Sequence, residues 1–203
     1  MEMPQPTPSV LTQAGSEDIL RRFAQGKYLF AITDGAYSAP LIAHVEKTAP
    51  DHLVPLLHPH PSIDATAIPQ LLRVSEPILD TILATADKAP WGVFAMSKAD
   101  PEALRIHFRR FLVVQLPDGE HWYFRFYDPR LLPVYIGKCN DWELENFFGP
   151  VRGYAMPSTE QSDITILMYE SKIAKASDSS STDPYTSPIW HIRPEQEQAL
   201  DKI

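Results

Sequence analysis

The sequence predicts a mixed α+β domain: a mixed β-sheet flanked by helices over roughly residues 16–170, followed by a flexible linker and a truncated C-terminal helical element. Helical and strand-like apolar runs are interleaved along the chain. A Pro-Asp-Gly turn sits between two apolar runs and reads as a hairpin. Acid-proline steps mark two helix starts.

Residues 1–15 carry three prolines and little apolar content, and read as a flexible N-terminal arm. Ser16 reads as an N-cap, with Glu17 and Asp18 in the first turn and Ile19, Leu20 and Phe23 on one face. The apolar run Tyr28 to Thr33 has the length and flanks of a strand buried on both faces, and Asp34-Gly35 ends it. A second helix is expected from near Pro40. Leu53 to Leu57 is a weak strand because Pro55 interrupts it, and His58 to Pro69 reads as loop.

Ser75 caps the next helix, where Ile78, Leu79, Ile82 and Leu83 repeat at helical spacing. Trp91 to Ser97 reads as another buried strand. Asp100-Pro101-Glu102 starts a helix, with Arg105 and Arg109 opposite its apolar face. Phe111 to Leu116 and His121 to Tyr127 form the hairpin around Pro117-Asp118-Gly119-Glu120. Proline presets one dihedral of that turn and Gly119 accepts the positive one. Alternation puts Trp122, Phe124 and Phe126 on one aromatic face, which reads as core.

Asp128-Pro129 repeats the acid-proline helix start. Asn140 with Glu143 fits a capping box, and Gly149-Pro150 closes that helix. Val151 to Met156 and Ile164 to Tyr169 read as final strands. Residues 171–188 are rich in Ser, Thr, Asp and Pro and read as a disordered linker. Residues 189–203 read as the start of a C-terminal helical lobe.

Composition narrows the function classes. The net charge of −8 repels phosphate backbones, so no nucleic-acid partner is expected. No apolar segment approaches the ~20 residues that span a bilayer, so no membrane partner is expected either. The N-terminus lacks a signal-peptide pattern, and Cys139 is the one cysteine. A reducing, cytoplasmic location fits both features.

Catalytic and metal patterns are sparse. The chain has no phosphate-cradling glycine pattern, no nucleophile elbow and no His-Glu-x-x-His helix. His58 and His60 could share one side of an extended chain, but each precedes a proline and no third ligand is near, so no metal is expected. Cys139 lacks a recognisable helper base. Asp34-Gly35 reads as a turn before it reads as a catalytic acid. The segment Arg125 to Arg130 admits two readings. Its arginines could grip a partner's carboxylates, with Arg109 on the same surface, or they could lock the corner after the strand, with Asp128 as N-cap. The chemical alternative is a small-molecule enzyme using Asp34 or Asp128 with Arg125.

Four segments, in this order, carry a resemblance. They are Tyr28 to Ala36, Trp91 to Ser97, Leu104 to Leu112, and Pro117-Asp118-Gly119 with Phe124 to Arg130. Together, over about residues 25–155, they resemble the adaptor chaperone family of bacterial type VI secretion, first catalogued as a domain of unknown function. The resemblance implies a cytosolic adaptor without catalysis or cofactor. Its implied partners are a cognate toxic effector protein and the VgrG spike protein onto which that effector is loaded. It raises Arg125, Asp128 and Arg130 as partner-binding candidates, and Arg109 and Tyr127 join them from the residue pattern. Asp34, Gly35, Trp91, Pro117, Gly119 and Pro129 are read as structural positions of the same segments. Members often carry a variable helical lobe after this domain, and here only its start, from about Ile189, is expected.

Overall fold

The apolar runs become the centre of a seven-stranded sheet with a core on each face. The computed structural model describes residues 9–12, 15–57, 68–85, 90–157, 164–170 and 189–203. Its strands are β1 (Ser9–Thr12), β2 (Leu29–Thr33), β3 (Leu53–Pro55), β4 (Gln70–Arg73), β5 (Gly92–Ser97), β6 (Val113–Gln115), β7 (His121–Tyr123), β8 (Val151–Pro157), β9 (Ile164–Met168) and β10 (Trp190–His191). The helices are α1 (Ser16–Gln25), α2 (Gly35–Thr48), α3 (Glu76–Thr85), α4 (Pro101–Arg109), α5 (Leu131–Ile136), α6 (Asp141–Phe148) and α7 (Pro194–Leu200). None of them is long and apolar enough to cross a membrane.

The large sheet runs β1-β9-β8-β5-β2-β4-β3, and a second sheet runs β10-β6-β7. Successive residues of a strand point to opposite faces. On β2, Leu29 and Ala31 join the core under α1, α2 and α3, while Phe30 and Ile32 join the core shared with α4, α5, α6 and α7. Coverage of both faces explains why β2 and β5 are buried at every position and almost wholly apolar.

The expected α+β domain is present, with its parallel and antiparallel pairings divided between the two sheets. The large sheet is antiparallel throughout, and among the described residues the one parallel pairing is β10 with β6. Continuous apolar runs usually signal parallel strands because helices cover both faces. Here helices cover both faces of an antiparallel sheet. Gly92 is required at the head of β5: its φ is +152°, and a Cβ would meet the Ile32 carbonyl oxygen at 2.1 Å.

Several local expectations shift. Residues 9–12, placed within a flexible arm, instead pair with β9 as an edge strand. α2 begins at Gly35, five residues before the expected start at Pro40, because Asp34 caps it: its Oδ1 accepts the Ala36 N–H at 2.9 Å. Pro40 lies inside that helix and is exposed. β7 stops at Tyr123, and its neighbour Trp122 is exposed, so Phe124 and Phe126 enter the core without it. Pro129 does not open a helix; α5 starts at Leu131, two residues later. Gly119 has φ +91° in the hairpin turn, as its position required.

The C-terminal segment packs into the same core, with Trp190, Ile192 and Leu200 all buried there. Trp190 is buried, donates its indole N–H to the Tyr135 hydroxyl at 2.6 Å, and lies edge-on to Phe111. Arg193 grips the buried Glu143 carboxylate at 2.7 and 3.0 Å. Glu143 also accepts the Asn140 N–H, completing the expected capping box. The expected linker at 171–188 and the pair His58 and His60 lie outside the described residues.

Candidate functional site

The end of β2 begins the site. Thr33 pairs with Gly92, and the next N–H, that of Asp34, donates to the Trp91 carbonyl at 2.6 Å. This fixes Asp34 at the sheet's end with one carboxylate oxygen on the Ala36 N–H and the other free to leave the helix. The Arg125 guanidinium takes that second oxygen. The Asp34 side chain is 6% exposed and the Arg125 side chain 37%, so the acid is buried and the base faces solvent.

Arg125 also lies over the Tyr37 ring, 5.9 Å from its centroid, within cation–π range. Tyr37 sits one turn along α2 from Asp34 and is exposed. Burial is the largest single influence and works against the Arg125 charge, but Asp34, Tyr127 and Asp128 together outweigh it and hold the guanidinium above its ordinary value. Its Nε is buried without a partner among the described residues.

Two residues before Arg125, the exposed Tyr123 shares a hydroxyl hydrogen bond of 3.1 Å with the buried Tyr127. Burial raises both phenols, so both stay neutral donors at physiological pH.

Asp128 repeats the pattern. Its Oδ1 accepts the Arg130 N–H at 3.0 Å and Nε at 2.9 Å, and Oδ2 takes the terminal nitrogen at 2.6 Å. Its carbonyl accepts the Leu131 and Leu132 amides, which launches α5. Asp128 is therefore a turn-former ahead of the helix rather than its N-cap. Its side chain is 2% exposed against 47% for Arg130.

The fold thus gathers Asp34, Arg125, Tyr127, Asp128 and Arg130 around one corner. Arg109 ends α4, and no hydrogen bond or ion pair joins it to that corner. Tyr37 and Tyr123 belong to the group but were not singled out from sequence. Their signal was weak: a tyrosine three residues past an N-cap acid, and one at the last position of a hairpin strand.

The corner's chemistry is that of holding guanidiniums in place. Both acids are occupied by backbone amides and arginine nitrogens. An open depression of about 540 Å³ lies along α7 between Pro194, Glu197 and Asp201, and shares no residue with the corner. Cys139 donates to the Tyr135 carbonyl at 3.3 Å, and burial, then the Glu143 charge, pushes its thiol up to about 12. Little of it is thiolate near neutral pH.

The sequence profile of one family matches residues 29–146, from the first residue of β2 into α6, a stretch that contains the whole corner. Comparison with curated proteins and with solved structures finds no match to the chain. The profile covers more than half of the chain, and the chain belongs to the family described as a domain of unknown function, DUF4123.

Proposed function

We propose that the chain is a cytoplasmic adaptor chaperone, without catalysis or cofactor, that binds a toxic effector protein and promotes its loading onto the VgrG spike of a bacterial type VI secretion system. The ordered segments that resemble that adaptor family lie almost wholly within the matched residues 29–146.

One structural observation carries the reading. Tyr37, Tyr123, Arg125 and Arg130 face solvent together, and the two guanidiniums are held by buried carboxylates. Tyrosine and arginine are the residue types that most often anchor protein–protein interfaces. Side chains already fixed in place lose less conformational freedom on binding, which favours affinity.

An adaptor with two protein ligands needs two faces. Trp142 supplies a second exposed anchor: it is 66% exposed and stacks flat on Trp190 at 5.6 Å. The net charge of −8 argues against a nucleic-acid ligand.

Affinity purification of the tagged chain from its native bacterium is the test. The expected result is recovery of a VgrG-type spike protein together with one toxin. Recovery of neither by folded bait contradicts the proposal.

A further inference from the structure

The hairpin beside the corner leaves one main-chain edge open. Between β6 and β7, the Phe124 N–H donates to the Leu112 carbonyl at 2.9 Å and the Leu116 N–H to the Glu120 carbonyl at 2.8 Å. Opposed residues in an antiparallel ladder alternate between bonded and non-bonded pairs. In the observed register the bonded pair between these two is Val114 with Trp122. His121 and Tyr123 therefore direct their N–H and C=O groups away from β6.

The other edge of the same hairpin shows what such groups take up. There the Gln115 carbonyl accepts the Ile192 N–H at 2.9 Å, beside the paired strand β10. Among the described residues no strand lies beside β7, which ends its sheet.

Side chains and charge indicate the occupant. Val113 and Tyr123 are cross-strand partners and both are exposed, forming a small apolar platform. Beyond Tyr123, the guanidiniums of Arg125 and Arg130, each anchored on a buried carboxylate, turn their remaining N–H donors to solvent, so that end offers donors to an acceptor. Asp118 and Glu120 keep the turn end negative, so an acidic group is accepted at the Arg125 end.

We infer that β7 is a docking edge for an extended segment of the partner protein, which pairs with the main chain of His121 and Tyr123, covers Val113 and Tyr123 with an apolar side chain, and brings an acidic residue to Arg125. This is strand addition, in which main-chain bonds give affinity and alternate side chains give specificity. It rests on the adaptor reading and specifies the chemistry of one partner.

The full chain is tested against two displayed libraries of segments about ten residues long, the span of a long strand. Both alternate β-branched or aromatic residues with serine or threonine. One carries a glutamate at a randomised position and the other a lysine. The expected result is enrichment from the glutamate library alone. Hydrogen exchange at His121 and Tyr123 should be fast in the free chain and slowed by the selected peptides, while Trp122 exchanges slowly throughout. His121→Pro removes only an outward N–H, which an edge strand tolerates. It should weaken the selected peptides by about tenfold with unfolding unchanged.

Equal enrichment from both libraries, or no enrichment, overturns the proposal. So do unprotected amides at His121 and Tyr123, or a His121→Pro chain that binds as tightly as the native one. Self-association that protects the same amides without peptide assigns the edge to a second copy and overturns it too. A His121→Pro chain that still co-purifies the spike protein and toxin ends the edge assignment and leaves the adaptor reading standing. A native chain that recovers neither partner removes both.

Discussion

Asp34 and Arg125 stand 91 residues apart in the chain and meet as one ion pair, with the acid buried and the base at the surface. The acid has a second task, since its other oxygen caps α2. The pair therefore ties a helix start to the segment after the hairpin and aims a guanidinium outward.

This predicts an asymmetric pair of losses. Arg125→Ala leaves a buried carboxylate without its counter-charge and should destabilise the fold by about 1–3 kcal/mol. Asp34→Asn in the same chain removes the orphaned charge, so the double variant should be less destabilised than the sum of the singles. A double-mutant cycle in urea measures this coupling, and additive losses would show that the pair is decorative.

The C-terminal segment predicts a stability effect far from the corner. Trp190 fills a site bounded by Phe111, Tyr135 and Trp142. Trp190→Ala should cost about 3–5 kcal/mol by loss of packing. Urea unfolding followed by circular dichroism checks it; a loss below about 1 kcal/mol would mean that the segment is not part of the cooperative core.

Much of this architecture was legible from sequence, and the misses share physical causes. Asp100, Asn140 and Gly119 signalled their roles through local chemistry: an N-cap, a capping box and a positive dihedral. Strand direction was not legible, because an apolar run reports burial on both faces rather than pairing. The docking of Trp190 depends on contacts across the fold, and a short helix with acidic residues gives no local sign of what lies beneath it. At the corner, the sequence offered Arg125, Asp128 and Arg130 as one local knot. The structure divides it, with Arg130 answering Asp128 nearby and Arg125 answering Asp34 from another element.

His107 predicts an acid-sensitive fold. Its Nε2–H donates to the Phe147 carbonyl at 2.9 Å, and burial lowers the imidazole from 6.5 to about 4. The unfolded chain takes up a proton near its ordinary value while the folded chain does not. Stability from this group is therefore full above pH 6.5 and falls as pH drops towards about 4, where the folded state also protonates. The whole effect is about 3 kcal/mol. Urea titrations across that range should lose most of this slope in His107→Gln. An unchanged slope would place the acid sensitivity elsewhere.

Cys139 should resist alkylation. With its thiol pushed up to about 12, little thiolate exists near neutral pH. Mass spectrometry after iodoacetamide should show the native chain unmodified and the urea-unfolded chain fully modified. Rapid modification of the folded chain would contradict the packed geometry.

The central claim is that the Tyr37–Tyr123–Arg125 face holds a protein partner, and it is tested most directly by quantitative affinity purification from the native bacterium. The native chain is compared with Tyr37→Ala/Tyr123→Ala, which alters exposed rings, and with Arg21→Ala on α1, whose partners are Glu17 and Asp80. The account predicts that the native and Arg21→Ala chains recover a spike protein and one toxin. The tyrosine variant, used where urea unfolding shows it folded, should lose at least one of them by about tenfold or more. Equal recovery of both partners by all three chains would contradict it.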